Sequence, residues 1–423
     1  MRAALWFLIL FAVAVALALF AGPNASSVTV FYAPYRVDLS LNLVLVLLLA
    51  AFGLLHVALR ALAALFELPR QARRWRAQQK ERAMHTALLE AQTHLLAGRF
   101  LRARKSADLA LHQEASLREQ VGAVPHGPQV RGLAHVVAAD GAHALQDVAA
   151  RDQHLQQLLD DTEIARENEI AEGARLRAAN WALDDQRPDD ALRWLEQLPQ
   201  GVSRRMATQR VRLKAARLAR QPAVALETAR VLIRHRAYTA DAGASLLKSL
   251  AGEVLRQAHD FDQLEAAWQA LEPAERLVPE IASIAAERAL RLAAEGESAP
   301  ALAAARRWLE GVWPQYESMS ASTQERFVGL LEATLDASDT AWLARIEAAQ
   351  TRRPHDAHLQ YLAGMACVRR QLWGKAQQLL GHASSGLTNA RMRRHVWLTL
   401  AAIASDRGDA DTAQAAIQQA ARI

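Results

Sequence analysis

The sequence predicts an all-α protein: two N-terminal transmembrane helices followed by an array of stacked helix pairs. Three observations predict it. Alanine is the commonest of the 423 residues, and Val, Ile and Thr are sparse beyond the first sixty, which disfavours long β-sheets and makes helix the default. Two apolar runs, 3–21 and 41–59, have the length of a membrane span. From about residue 83 a motif of small residues, a turn and more small residues returns every 30–40 positions, roughly one helix pair per copy.

The balance of 52% hydrophobic and 22% charged residues excludes collagen-like sequence and wholesale disorder. Cys367 is the one cysteine, so no internal disulfide forms, and no Cys/His set has the spacing of a structural zinc site. The net charge of +6 comes almost entirely from arginine, with lysine only at Lys80, Lys105, Lys214, Lys248 and Lys375. Such a charge suits anionic lipid, nucleic acid or an acidic partner and does not choose among them.

The run from Ala3 to Ala21 is uninterrupted, lies between Arg2 and Gly22-Pro23, and as a helix is about 28 Å long, enough to cross a hydrocarbon core. A cleaved signal peptide is the rival reading, but the small-residue triplet Ala16-Leu17-Ala18 lies inside the run instead of after it. The second run, Leu41 to Leu59, carries only Asn42 and His56 as polar interruptions, each within a turn of an end. Between the runs only Arg36 is basic, whereas Arg60, Arg70, Arg73, Arg74, Arg76, Lys80 and Arg82 follow the second. By the positive-inside rule both ends face the cytoplasm and 22–40 is a short periplasmic loop. There Val28-Thr29-Val30-Phe31-Tyr32, ended by Pro34, predicts a small strand or hairpin. The domains predicted are thus a membrane anchor over 1–60, a basic juxtamembrane segment over 61–82 and a cytoplasmic helical array over 83–423.

Arg70, Arg73, Arg74, Arg76 and Lys80 are the candidate membrane-surface patch, able to grip anionic headgroups as well as to set the topology. Nucleic acid is excluded as a partner, since the patch adjoins a span and no reader motif accompanies it.

The repeat has tetratricopeptide (TPR) character. At the C-terminus Trp397, Leu400, Ala401 and Ala404 share one helix face, Arg407-Gly408-Asp409 makes the turn, and Ala413, Ile417 and Ala420 line a second helix. One unit earlier stand Gly364, Cys367, a turn ending at Trp373, then Ala376, Leu380 and Ala383. Ala97-Gly98-Arg99-Phe100 with Ala103, Ala107 and Ala110 is the first copy. Weaker copies begin at Arg187-Pro188, Gln221-Pro222, Asp260-Phe261 and Glu295-Gly296. Small residues recur because helices 8–10 Å apart leave no room for larger ones. An irregular bundle of Ala-rich helices is the alternative, but copies at this spacing favour a TPR-like α-solenoid with an extended binding surface. The stretch 121–128 reads as its clearest linker, and 310–322 as a second irregular region.

No phosphate loop, His-Glu-x-x-His, Gly-x-Ser-x-Gly or dinucleotide fingerprint is present, so no catalytic residue, metal site or enzyme activity is predicted. The acid pairs Asp160-Asp161, Asp184-Asp185 and Asp189-Asp190 fall at helix ends, as caps do. His355 and His358 are spaced to share a metal or haem iron, and His56 is a candidate axial ligand, but an ordinary exposed or interfacial histidine is the better reading of each. Cys367 reads as packing. One stripe stands out. If Ala225 sits at a second-helix crossing, Arg210, Lys214 and Arg217 fall at i, i+4 and i+7 on the preceding first helix, facing a groove. They are the candidate partner or ligand site, suited to carboxylates.

The chain resembles the HemY proteins of proteobacteria. The resemblance lies in Phe31-Tyr32-Ala33-Pro34-Tyr35-Arg36-Val37-Asp38-Leu39-Ser40 entering the second run, in Glu90-Ala91-Gln92-Thr93-His94-Leu95-Leu96-Ala97-Gly98-Arg99-Phe100 opening the repeats, and in the order of spans, basic stretch and array. It implies an inner-membrane protein of late haem (porphyrin) biosynthesis, with haem-pathway enzymes, haem or porphyrin as partners. It supplies no catalytic motif and no resident cofactor, haem entering only as a ligand. A scaffold for envelope assembly, and a porphyrin-metabolism enzyme with an unrecognised site, are the competing expectations.

Overall fold

A computed structural model of the chain describes residue 13 and residues 26–166, 168–296, 298–336 and 340–423. The first predicted span, 3–21, therefore lies outside the described residues except for Val13. The description begins with an antiparallel hairpin of β1 (Ser27–Tyr32) and β2 (Tyr35–Ser40), as the β-prone loop predicts. Every other regular element among the described residues is helical.

The Leu41–Leu96 helix holds 56 residues and is about 84 Å long. Ser40 caps it, its hydroxyl accepting from the Leu43 N–H at 3.3 Å. Residues Leu41–Leu62 are apolar and long enough to cross a membrane, slightly beyond the predicted 41–59. Among the described residues this is the one candidate span. The same helix then passes without a break through 60 and 82, the predicted domain boundaries, and buries Met84, Ala87, Leu88 and Ala91 against the next helices. Span, basic segment and first repeat helix are one element.

Two compact units follow from the packing, Met1–Ala171 and Glu172–Ile423. In the first, the Leu41–Leu96 helix pairs with Phe100–Val121, and Gly127–Ala144 pairs with Val148–Asp160. In the second, Met206–Leu218 pairs with Pro222–Arg234, Pro279–Glu295 with Ser298–Val312, Ala357–Arg369 with Trp373–Gly386 and Ala390–Asp406 with Ala410–Arg422. Between these stand the pair Ala240–Gln257 with Phe261–Gln269, and the helices Ala321–Ala333 and Thr340–Arg352, each packed on Ala357–Arg369. The Asn168–Asp184 helix is followed by Pro188–Glu196, packed through Ala179, Ala182, Ala191 and Leu195.

One turn recurs. Gly98, Gln146, Gln186, Arg220, Gln371 and Gly408 all have positive φ and stand two positions before a second helix. The next N–H reaches back five residues, from Arg99 to His94, Asp147 to Ala142, Arg187 to Ala182, Gln221 to Ala216, Leu372 to Cys367 and Asp409 to Ala404, at 2.7 to 2.9 Å. This is the long bond of a Schellman cap, which satisfies carbonyls the helix end would orphan. Five residues past the left-handed position stand buried Ala103, Ala191, Ala225, Ala376 and Ala413, with Arg151 in the sixth. The cap fixes where the second helix begins, and the alanine lets it approach the first.

The irregular region at 310–322 is a packed corner. A 3-10 helix, Trp313–Ser318, places Trp313 against Tyr316, Phe327 and Trp342, with ring centroids 5.1 to 6.1 Å from that of Trp313. One predicted core residue is corrected: Ile417 is exposed, and Ala416 takes its place between Ala413 and Ala420, because those three share the face toward the Ala390–Asp406 helix. Gly364 marks a tight crossing in its pair, since a Cβ there would lie 2.7 Å from Leu380 Cδ2. Leu380 is fully buried and cannot step aside. Gly364→Ala should therefore destabilise the chain by about 1–3 kcal/mol in urea unfolding, although alanine normally gains about 1 kcal/mol in a helix. Adding Leu380→Ala should return part of the loss relative to Leu380→Ala alone; a neutral Gly364→Ala would contradict the crossing.

Candidate functional site on the first helices

In the second unit the first helices of successive pairs touch in sequence: Ala240–Gln257 packs on Pro279–Glu295, that on Ala321–Ala333, and that on Ala357–Arg369. The Met206–Leu218 helix is a first helix, as counting back from Ala225 predicts, and Ala225 is fully buried. Arg210, Lys214 and Arg217 emerge together on it and line a depression of about 460 Å³ with Leu213, Leu218, Tyr238 and Glu253. Glu253 comes from the next first helix. Lys214 Nζ stands 3.9 Å from Asp184, a weak exposed pair, while Arg210 and Arg217 form no ion pair among the described residues.

A second cluster, absent from the sequence reading, spans the last first helices. Glu287, Glu325, Arg326, Glu332, Tyr361, Asn389, Arg391, Arg394 and His395 line a groove of about 730 Å³ with Leu330, Met392 and Leu398. Its acids are already engaged. Glu287 pairs with Arg326 and Arg291, Glu325 accepts from the Asn389 amide, and Glu332 accepts from the Tyr361 hydroxyl and lies 3.0 Å from His395 Nε2. The Glu332 hydrogen bond raises the His395 pKa, against burial and the charges of Arg369 and Arg391. Burial and the Glu332 carboxylate push the Tyr361 phenol up, so it stays a donor. Arg391 and Arg394 form no ion pair among the described residues, and they stand within the first two turns of the Ala390–Asp406 helix, near the end where the backbone is already positive. Spare positive charge is the common feature of both sites.

The basic patch is dispersed along its helix. Arg74 and Arg76 are exposed, Lys80 donates to Ser116 Oγ at 2.8 Å, and the Arg70 and Arg73 side chains lie outside those described. Arg76 and Lys80 also line a cavity of about 720 Å³ between the Leu41–Leu96 and Phe100–Val121 helices, with Gln113 and Gln120. Along a straight helix Arg70 is about 12 Å beyond Leu62 and Lys80 about 27 Å, while the headgroup layer is only about 6 Å thick. Pro69, inside the helix, is where a bend would bring the patch back toward lipid.

The first unit holds its charge internally. Arg131 donates to Glu114 at 2.6 Å, to Glu163 at 2.6 Å and to Asp161 at 3.1 Å, and Glu114 is only 1% exposed. Asp161 also accepts from the N–H groups of Glu163 and Ile164, the capping role expected of it. His135 and His154 face each other, Nδ1 to Nδ1, at 3.2 Å. Burial first, and then the neighbouring imidazole, lowers the His135 pKa to about 4.

The remaining sequence candidates do not converge. His355 is exposed in the turn before the Ala357–Arg369 helix, and His358 sits in its first turn, 4.0 Å from Asp356. Cys367 is buried, which pushes its thiol up. His56 is exposed on the candidate span. Among the described residues no group of three or more His, Cys, Asp or Glu is placed to hold a metal ion.

The fold and these surfaces define a helical-repeat protein with a candidate membrane span. Residues 26–146 match the family described as HemY protein N-terminus, from the hairpin to the turn at Gln146, and the resemblance read from the sequence holds over those residues. No curated protein matches. Solved structures that overlap the chain include the APC/C hetero-tetramer Cut9-Hcn1, with 14% identity, 79% of this chain and 65% of that chain covered, and a TM-score of 0.27. Another is Naa15/Naa10 bound to HypK-THB, with 14% identity, 76% and 56% covered, and a TM-score of 0.24. The chain thus spans less than two thirds of each of those chains, and the fold assignment rests on the helix pairing and turns above.

The two histidine sites predict opposite pH responses in separate windows. Because His135 is protonated in the folded state only near pH 4, stability should fall as pH drops from about 6.5 to 4, the unfolded chain binding the extra proton. His395 gains a partner, so its contribution is present below about pH 6.5 and is lost as pH rises through its raised value. Thermal unfolding of the full chain across pH should show both slopes. His135→Leu should flatten the acid one and His395→Gln the other; unchanged profiles would contradict the two environments.

Proposed function

We propose that this chain is a membrane-anchored scaffold of late haem (porphyrin) biosynthesis, whose first-helix face binds acidic partners at the cytoplasmic face of a bacterial inner membrane. The observation that carries the reading is the unneutralised charge of that face. Arg210 and Arg217 at one place, and Arg391 and Arg394 at another, stand exposed with no ion pair among the described residues, Lys214 holds only a weak pair with Asp184, and the acids of the second groove are already engaged. Guanidinium groups take carboxylates two bonds at a time, so the fitting partners are an acidic segment of a haem-pathway enzyme or the propionates of haem or a porphyrin. The HemY match supports the haem connection. The Leu41–Leu62 segment supports membrane attachment, and the basic bias after it supports two passes with both termini cytoplasmic.

Charge reversal tests it. In the full chain in detergent, Arg210→Glu, Lys214→Glu and Arg217→Glu together should weaken porphyrin binding, or capture of haem-pathway enzymes, by at least tenfold. Helical content and melting temperature should hold. Arg391→Glu with Arg394→Glu serves as the second arm. Binding that survives both sets would overturn the anionic-partner reading and leave scaffolding unrelated to haem as the better account.

A further inference from the structure

The hairpin before the candidate span is amphipathic. Directly opposed residues of an antiparallel pair share a face, and the register pairs Val28 with Leu39, Val30 with Val37 and Tyr32 with Tyr35. These six make one unbroken apolar face. The other face pairs Ser27 with Ser40, Thr29 with Asp38 and Phe31 with Arg36. That face satisfies itself: the Thr29 hydroxyl donates to Asp38 at 2.5 Å, Arg36 lies 3.5 Å from Asp38, and its guanidinium sits 5.4 Å from the Phe31 ring centre. Among the described residues nothing comparable covers the apolar face, where Val30, Tyr32, Tyr35 and Val37 are 47% to 78% exposed.

No linker separates this face from the span. Ser40 ends β2 and caps the helix, Leu41 is both the first helical residue and the first residue of the candidate span, and its N–H donates to the Ser26 carbonyl at 3.0 Å. The base of the hairpin is thereby fixed at the edge of the hydrocarbon. Three physical limits then leave one location. A two-stranded hairpin alone in water is marginal at best, so the face needs cover. The outer edges of both strands carry unpaired N–H and C=O groups, so the hairpin cannot enter the hydrocarbon. Tyrosines concentrate at the boundary between the two, and Tyr32 and Tyr35 sit at the tip, about 20 Å from the base.

We propose that the hairpin lies flat on the bilayer surface at the Leu41 end of the span, its Val, Leu and Tyr face in the headgroup region and its Thr, Asp and Arg face in water. The lipid surface is its partner. The inference rests on Leu41–Leu62 spanning the membrane, and it fixes the rotation and depth of the helix by a contact outside it.

Single cysteines in the full chain carrying Cys367→Ala test this, labelled with an environment-sensitive fluorophore in phosphatidylcholine and phosphatidylglycerol nanodiscs. The positions are 30 and 37 on the apolar face, 29 and 38 on the polar face, and 49 within the span. Lipids spin-labelled near the headgroup should quench 30 and 37 at least twofold more than 29 and 38, and aqueous iodide should reverse the order. Iodide reaching all four positions alike would mean that the hairpin stands in water. Positions 30 and 37 protected from both quenchers would mean that protein, a partner or a second copy, covers the face; either result overturns the proposal. Position 49 separates the two claims, since it must be quenched by lipid labelled deep in the chain for the span itself to stand.

Discussion

The hydrogen-bond ladder of the Leu41–Leu96 helix is the constraint on which the rest depends. Its N-terminal part is apolar on every side and exposed, as a helix meant for lipid must be, while its C-terminal part buries Met84, Ala87, Leu88 and Ala91 as the first member of the repeat array. A helix is stiff over this length, and its rotation at Leu41 is carried to Ala91 at 100° per residue. The face that the first repeat presents is therefore set by the way the span is seated. A flexible tether would leave the array free to sample orientations. A continuous helix removes that freedom from the first repeat, with Pro69 as the one residue in the connecting stretch that lacks the N–H to complete the ladder.

The array itself is made by a local rule used repeatedly. A left-handed residue ends the first helix, the following N–H ties back five positions, and an alanine admits the second helix. Where glycine or proline advertises the turn, as at Gly98, Pro188, Pro222 and Gly408, the sequence shows it. The pair Gly127–Ala144 and Val148–Asp160 obeys the same rule and is invisible, because Gln146 takes the left-handed position and Arg151 the alanine one. Ala321–Ala333 and Thr340–Arg352 are hidden for another reason: each packs on Ala357–Arg369, and their buried positions are taken by Phe327, Val328, Leu331, Trp342, Leu343 and Ile346 in place of small residues. The Gln146 turn is findable in hindsight, since Asp147 caps the next helix through the Ala150 N–H as Asp409 does through that of Thr412.

The candidate sites divide in the same way. Arg210, Lys214 and Arg217 are legible because one helical stripe contains all three, and a period of 3.6 places them. The cluster of Glu332, Tyr361 and His395 is not, because each comes from a different first helix and only stacking joins them. Charge is also used differently in the two units. Arg131 in the first is enclosed by Glu114, Asp161 and Glu163, so removing it would strand a buried carboxylate; in the second Arg210, Arg217, Arg391 and Arg394 are exposed and form no ion pair among the described residues. Positive charge that contributes no internal pair is available to a partner.

The most direct measurement is a spin-label distance across the join. With Cys367→Ala as background, labels at positions 62 and 89, both exposed, bracket the stretch between the span and the buried part of the first repeat. In nanodiscs a continuous helix predicts a single narrow distribution near 40 Å, the rise over 27 residues, shortened by a few ångström where Pro69 bends it. A broad distribution, or one centred well below 30 Å, would show that the array hangs from the membrane on a flexible link, and the account of a scaffold held in register with its span would be wrong.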